Sequence, residues 1–386
     1  MIERLLAPKL IELAQKFPVV SLMGPRQSGK TTLVRSSFPQ LPYVSLEEPD
    51  VRQFALTDPR GFLANYPHGV ILDEAQNTPQ LFSYIQTIVD TKPEAQFILT
   101  GSANFLLMEQ ITQTLAGRSA LLTLLPLSLV ELGHSGRSFA QYEEAIFMGQ
   151  YPRLYDRALH PTDFYPSYIQ TYVERDVRLL KNITDLNAFI RFVQLCAGRV
   201  GQLLNYTSLA NDAGISPNTA KAWLSLLEAS YIVYLLRPYH QNFSKQVIKS
   251  PKLYFYDSGL VCSLLGLKTA EQVATHYLKG ALFENLVINE FMKRALNQGA
   301  RPSLYFWQDS TGNEIDCLLK EGENVAAVEI KAGQTFNQSF FRHLRQWQNL
   351  SGSPEPNSYV VYGGDRTWST QDGWLIGWRD LERVQV

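Results

Sequence analysis

Over the first third of the chain, short apolar runs alternate with segments whose apolar residues recur at helical spacing. Strands are expected near 18–23, 42–46, 69–72, 96–100 and 120–124, and helices near 2–16, 30–37, 79–91 and 104–116. Strands that are apolar on both faces and separated by helices predict a parallel sheet covered on each side. From about 140 the strand pattern gives way to helices, including one over Tyr165 to Leu180. Next comes a short helix, Thr207 to Asp212, a turn at Ala213-Gly214-Ile215, and a second helix, Ser216 to Ser230. Ser216 is a suitable N-cap and Pro217 a suitable first helical residue. Tyr231 to Leu236 and Lys252 to Tyr256 then predict the two strands of a wing. The last region predicts a helix over Gly280 to Leu296 and strands near 303–308, 314–320, 324–331 and 357–362. The pattern divides the chain into residues 1–135, 136–275 and 276–386, with no internal repeat or low-complexity linker.

The first region carries a phosphate-binding motif. Gly24-Pro25-Arg26-Gln27-Ser28-Gly29-Lys30-Thr31, followed by Thr32, matches G-x-x-x-x-G-K-[ST]. The motif lies between a predicted strand and a predicted helix, the context it requires. Gly24 and Gly29 let the backbone turn its N–H groups toward phosphate oxygens, and the helix N-terminus adds partial positive charge. Lys30 is the candidate for the β- and γ-phosphates, and the Thr31 hydroxyl for Mg²⁺. A chance glycine turn would not be followed by Val70-Ile71-Leu72-Asp73-Glu74, an apolar strand ending in two acids. Asp73 is expected to hold the Mg²⁺ shell and Glu74 to polarise the attacking water. The strand Gln96 to Thr100 ends near Ser102 and Asn104, the candidates for a γ-phosphate sensor. Arg118 and Arg175 are the candidate arginine fingers. For either of them, a structural salt bridge is the plainer role.

A second group of acids lies near the C-terminus. Glu321-Gly322-Glu323-Asn324 reads as a hairpin turn with Gly322 at the first central position. Pairing Glu321 with Asn324 places Asp316 opposite Glu329, and the period of two puts Glu329 and Lys331 on one face. Glu284 on the preceding helix supplies a third acid. Carboxylates and a lysine in this layout suit a divalent-metal site for phosphodiester cleavage, with Asp316 and Glu329 as ligands of a second Mg²⁺. D-x₁₂-E-x-K resembles the PD-(D/E)XK nuclease core. An exposed hairpin with a surface Glu–Lys pair would share the spacing, and such a pair contributes little.

The 386 residues are 45% hydrophobic and 18% charged, with a net charge of −1. A globular protein follows, with no overall basic field to draw in nucleic acid. Of the helix–turn–helix residues offered outward, Asn218, Thr219 and Lys221, only one is basic. Cys196, Cys262 and Cys317 lack metal-ligand spacing and fit a reduced, cytoplasmic protein. The N-terminus lacks the apolar core of a signal peptide, and Ala120 to Val130 is too short and too polar to span a bilayer, so no membrane partner is expected.

Taken in order, several motifs resemble a prokaryotic family of AAA-type ATPases with a C-terminal domain of unknown function. They include Gly24–Thr32, Leu72-Asp73-Glu74-Ala75-Gln76, Leu115-Ala116-Gly117-Arg118, Glu174-Arg175-Asp176, Pro251–Leu260, Phe283-Glu284-Asn285, Glu314–Asp316 and Val328–Lys331. Two positions depart from the family pattern: Ser28 stands where an apolar residue is usual, and Gly149-Gln150-Tyr151-Pro152 where Gly-Gly-x-Pro is usual. The resemblance implies an α/β protein built from a parallel-sheet P-loop ATPase, a helical and winged-helix region, and a mixed α/β restriction-endonuclease-like domain. It also implies ATP and Mg²⁺ as cofactors.

The leading expectation is an ATP-hydrolysing protein whose nucleotide state controls a nuclease-like domain acting on nucleic acid. The alternative is a regulatory ATPase that binds a protein or DNA partner without cutting. A third reading, a DNA-binding regulator using the helix–turn–helix, is disfavoured by the near-neutral charge. A finger supplied in trans would require a homo-oligomer.

Overall fold

The computed structural model describes residues 2–102, 114–177, 183, 185–239, 248–351 and 357–386, with backbone alone over 174–177. The N-terminal part runs α1 (Ala7–Ala14), β1 (Val19–Met23), α2 (Lys30–Ser37), β2 (Tyr43–Ser45), α3 (Pro49–Thr57), α4 (Pro59–Ala64), β3 (Gly69–Asp73), α5 (Leu81–Thr91), β4 (Gln96–Gly101) and β5 (Ser119–Thr123). The strands form one sheet in the order β2-β3-β4-β1-β5, every neighbouring pair parallel. β1 and β3 are buried along their whole length. Successive residues nevertheless serve opposite cores. Val19, Leu72, Phe97 and Leu99 pack on one face with Phe82 and Ile85 of α5. Val20, Ile71 and Ile98 pack on the other with Leu10 of α1 and Leu33 of α2. This is why the strands read as continuous apolar runs. Most of the helix expected over 104–116 lies outside the described residues.

The middle of the chain is α6 (Leu129–His134), α7 (Tyr142–Met148), α8 (Pro152–Asp156), α9 (Pro161–Tyr168), a π-helical stretch Ile169–Val177, α10 (Leu186–Ala197), α11 (Tyr206–Ala213), α12 (Pro217–Ala229), β6 (Val233–Pro238), β7 (Lys252–Phe255), α13 (Ser258–Leu264) and α14 (Ala270–Thr275). Instead of one regular helix from Tyr165, the chain passes from α9 into the π-helical stretch. Pro166, which has no N–H for the ladder, lies inside α9.

The helix–turn–helix forms: Gly214 caps α11 at φ +73°, and the Ser216 side chain accepts from the Thr219 N–H to start α12. Asn218 and Lys221 are exposed at its surface. The wing takes a different form. β6 pairs antiparallel with β7, but it also pairs in parallel with β8 at Arg237–Tyr305 and Pro238–Phe306. The hairpin is thereby the end of the C-terminal sheet and not a free wing.

The C-terminal part comprises α15 (Lys279–Asn297), β8 (Leu304–Gln308), β9 (Glu314–Glu321), β10 (Asn324–Lys331), α16 (Arg342–Ser351), β11 (Ser358–Tyr362), β12 (Trp368–Thr370) and β13 (Gly373–Gly377). The sheet order is β12-β13-β11-β10-β9-β8-β6-β7. β9 runs antiparallel to β8 and β10, while β10, β11 and β13 run parallel. The β9–β10 register runs from Asn324–Glu321 to Val328–Cys317, around Gly322 at φ +58°. α15 is buried on most of its surface, including Asn285, Asn289, Glu290 and Lys293. Its two asparagines grip the end of β7: the Phe255 N–H donates to Asn285 Oδ1 at 2.9 Å, and Asn289 Nδ2 donates to the Phe255 carbonyl at 2.8 Å.

Candidate nucleotide site and a second acidic cluster

The loop after β1, Asp73 at the end of β3 and Ser102 just past β4 meet at one edge of the parallel sheet. That edge, at the carboxyl ends of the strands, is where such sheets bind ligands. Gly24 cannot be replaced without displacing backbone, because a Cβ there would lie 2.1 Å from the Leu124 carbonyl oxygen. Gly29, at φ +95°, turns the loop into α2. Lys30 is 5% exposed, and its Nζ donates to the Gly24 and Pro25 carbonyls, each at 2.9 Å. Burial pulls its ammonium down from 10.5 to about 8, against the opposing pull of Glu74 and Asp73.

Asp73 is the hub of the site. Its Oδ2 accepts from the Thr31 hydroxyl at 2.8 Å and the Tyr43 hydroxyl at 2.7 Å, and its Oδ1 from the Thr100 hydroxyl. A hydroxyl and a carboxylate this close are hard oxygen donors of the kind Mg²⁺ takes together with nucleotide phosphates. Glu74 adopts a left-handed conformation at φ +53°, and its Oε2 accepts from Ser102 Oγ at 2.9 Å and from Gln76. Ser102 therefore stands next to the expected water-polarising acid; Asn104 lies outside the described residues. A cleft of about 550 Å³ opens over Gly29, Lys30, Thr31, Thr32 and Glu74.

The two expected arginine fingers fare differently. The Arg118 carbonyl accepts from the Val19 N–H, so Arg118 stands at the start of β5, the end of the sheet away from the phosphate loop. One strand of five residues, roughly 17 Å, separates the two ends. Its guanidinium pairs with Asp90, Nε to Oδ1 at 2.6 Å and Nη2 to Oδ2 at 2.8 Å. Within this chain Arg118 does not reach the nucleotide cleft, and the structural salt bridge describes it. The Arg175 side chain lies outside the described residues. The far wall of the cleft instead carries Arg153 and Arg157, from α8 and its C-cap. No motif in the sequence pointed to them, since Pro152 marks only the start of α8.

Sequence reasoning also missed Tyr43, Thr100 and Arg4. Arg4 is 8% exposed and touches the back of the loop. Nη1 donates to the Ser28 carbonyl at 2.7 Å, Nη2 to the Leu125 carbonyl at 2.7 Å, and Nε to Glu131 Oε1 at 3.0 Å. Glu131 also closes a capping box with Ser128 at the start of α6. From there the polar contacts continue into α15. The Leu129 N–H donates to Glu290 Oε2 at 2.7 Å, and Lys293 Nζ donates to the Leu127 carbonyl at 2.9 Å, to Gln150 Oε1 at 2.8 Å and to Glu290 Oε1 at 2.9 Å.

Six residues before Glu290 on α15 is Glu284, which faces the second acidic cluster. Lys331 Nζ lies 2.5 Å from Glu329 Oε2 and 3.5 Å from Asp316 Oδ2. Asp316 Oδ2 also accepts the Ile330 N–H at 2.7 Å. Glu329 is 1% exposed, and neither of its oxygens accepts a well-directed hydrogen bond from the described residues. Burial, reinforced by Asp316, raises its carboxyl to about 9. The structure adds residues that D-x₁₂-E-x-K did not name. Lys252 of β7, 4% exposed, places Nζ 3.1 Å from Glu284 Oε1 and also contacts Glu314. Tyr254 donates to Glu284, and His343 Nδ1 lies 3.6 Å from Glu329 Oε1. Glu284 is raised to about 7 by burial, with Lys252 pulling the other way.

Among the described residues no group of three or more His, Cys, Asp or Glu side chains is set to hold a metal ion. Ammonium groups occupy the space between the acids: Lys331 between Asp316 and Glu329, Lys252 between Glu284 and Glu314. Lys331 thus stands beside both carboxylates expected to hold the second Mg²⁺, Asp316 and Glu329, as the D-x₁₂-E-x-K spacing anticipates.

Comparison with known proteins defines the class of the nucleotide-binding part. Residues 16–133 match the model of an AAA domain (AAA_14), 139–271 a domain of unknown function (DUF8612), and 279–381 another domain of unknown function (DUF4143). The chain thus carries an AAA-type P-loop ATPase domain followed by a DUF4143 domain. An uncharacterized protein of Mycobacterium tuberculosis is 29% identical over 370 residues, covering 95% of this chain and 81% of the relative. An uncharacterized protein of Haemophilus influenzae is 23% identical over 249 residues, covering 60% and 58%. Among solved structures, a Walker-type ATPase of Pyrococcus abyssi is 14% identical, covers 68% of this chain and 96% of that one, and has a TM-score of 0.45. A Signal Transduction ATPase with Numerous Domains from Pyrococcus horikoshii, with a tetratricopeptide repeat sensor, is 11% identical, covers 75% and 46%, and has a TM-score of 0.24. Among the described residues no helix is long and apolar enough to cross a membrane.

Proposed function

We propose that the protein binds and hydrolyses ATP and uses its nucleotide state to act on its C-terminal domain. The observation that carries the first half is the meeting of Lys30, Thr31, Asp73, Glu74 and Ser102 at one sheet edge, within direct hydrogen-bond reach of one another or across one cleft. Lys30 holds the phosphates, Glu74 orients the attacking water, and Ser102 reads the γ-phosphate through Glu74. When bound, Mg²⁺ would be held by Thr31 and Asp73 and would supply charge neutralisation at the phosphates. Lys30→Ala is expected to abolish ATP binding. Wild-type protein that neither binds nor hydrolyses ATP would overturn this reading.

The second half rests on α15, which carries Glu290 and Lys293 at the ATPase region and Glu284 at the acidic cluster. Two readings of the C-terminal domain stand side by side, and in one of them a regulatory ATPase uses a nuclease-like domain that binds a protein or DNA partner without cutting. In the other, cleavage draws its support from Asp316, Glu329 and Lys331 gathered at the β9–β10 hairpin. Incubation with single- and double-stranded DNA and RNA, with Mg²⁺ or Mn²⁺ and with or without ATP, separates the two. Cleavage lost in Asp316→Ala would establish the nuclease. Intact ATP hydrolysis without cleavage supports the regulator.

A further inference from the structure

We infer that Arg4 is a positioning residue for nucleotide binding: it fixes the peptide that presents the Gly29 N–H to the β-phosphate. The inference rests on the ATP-binding reading above and names a group that the loop motif does not contain. In a trans peptide the C=O and N–H point in opposite directions. Arg4 Nη1 holds the Ser28 carbonyl at 2.7 Å on the back of the loop. The next N–H, that of Gly29, is thereby turned toward the cleft that Gly29 lines. Gly29 is left-handed at φ +95° and has no side chain to restrain it, so this peptide could otherwise rotate at little cost. A loop amide that must be reoriented when phosphate binds gives back part of its hydrogen-bond energy, and one held in place beforehand does not.

The bracing group is itself held on several sides. The same guanidinium donates to the Leu125 carbonyl and to Glu131, and Glu131 is 1% exposed. Glu131 Oε1 also accepts the Leu5 N–H at 2.8 Å, and Oε2 the Ser128 N–H at 2.8 Å. A lysine at position 4 would keep one charge facing Glu131, but it lacks the planar fork that satisfies three acceptors at once. Glu131 joins the brace to the α6 cap, the segment that Glu290 and Lys293 hold from α15. The brace therefore stands where a movement of α15 would reach the phosphate loop.

The test compares wild type, Arg4→Lys, Arg4→Met and Lys30→Ala, with ATP, ADP and AMP as ligands by calorimetry and ATP turnover alongside. Because the contact to the β-phosphate is already made in the ground state, most of the loss falls on binding. For Arg4→Met we expect ATP and ADP affinity to fall about tenfold in parallel, KM to rise by the same factor and kcat to stay within about threefold. AMP, which has no β-phosphate, should bind as to wild type. Arg4→Lys should fall between the two, and it carries the test if Arg4→Met does not fold. Arg4 variants that melt earlier but bind ATP as wild type does would overturn the inference and leave a purely structural role. Equal losses for AMP and ATP would also overturn it. Wild type without Lys30-dependent ATP binding would overturn the ATPase reading, and this inference with it.

Discussion

The buried lysine of the phosphate loop gives ATP use a specific pH dependence. Lys30 is 5% exposed in the ligand-free protein, and burial lowers its ammonium from 10.5 to about 8. At about 1.36 kcal/mol per unit, holding it charged in that environment costs roughly 3 kcal/mol. Below pH 8 the free protein still carries the charge. By pH 9 only about a tenth of the molecules do, and each further unit removes about tenfold more. Since kcat/KM reports the free enzyme and kcat the bound complex, kcat/KM should fall about tenfold per unit above pH 8. By contrast, kcat should stay level, because bound phosphate holds the ammonium charged.

Stability moves in the opposite direction. Unfolded Lys30 retains its ordinary value of 10.5, so between about 8 and 10.5 the unfolded chain binds the additional proton. Lys30 thus contributes a rise in ligand-free stability with pH across that window. Steady-state hydrolysis from about pH 6.5 to about pH 9.5, beside thermal melts with and without ATP, measures both effects. The stabilisation conferred by ATP should shrink over the same range. A kcat/KM that stays flat through pH 9.5, or that falls in step with kcat, would refute the argument.

Other consequences follow from the geometry. Under the proposed function, in which Glu74 orients water and does not bind phosphate, Glu74→Gln should keep ATP affinity within about threefold while lowering kcat by about 10² or more; single-turnover hydrolysis measures this. Arg118→Ala should leave turnover within about twofold, since Arg118 pairs with Asp90 at the far end of the sheet. Arg153→Ala, on the cleft wall, should slow turnover about tenfold or more, and side-by-side kcat values would rank the two. Lys252→Met should cost about 3–5 kcal/mol in chemical denaturation, because Glu284 and Glu314 lose their shared buried cation. Adding Glu284→Gln should restore at least half of that loss, and a double variant no more stable than the single one would contradict the pairing.

Local relations in this chain were legible from residue order. The phosphate loop needs glycines at 24 and 29 and a lysine at 30, all within one turn, so its chemistry follows from spacing alone. The acids at 73 and 74 end a strand whose burial is visible as an apolar run. Asp316 and Glu329 come together beside Lys331 because a two-residue turn at Gly322-Glu323 fixes the hairpin register from Asn324–Glu321 to Val328–Cys317, one step short of them. Each of these relations spans one element or one turn, and backbone geometry leaves few alternatives.

What the tertiary structure decided is which distant side chains share those sites. Arg118 follows a promising motif, yet strand direction sends it to the wrong end of the sheet. Arg4 precedes the loop by some twenty residues without any motif, yet α1 and the Glu131 cap bring it against Ser28. Lys252 lies in a predicted wing strand, and only the pairing of β6 with β8 carries that hairpin to the acids of the C-terminal sheet. Residue order specifies periodicity and turn chemistry because these act over a few bonds. Which elements pack together is settled by burial of faces contributed from the whole chain, so the charges that complete each site become visible only once those faces meet.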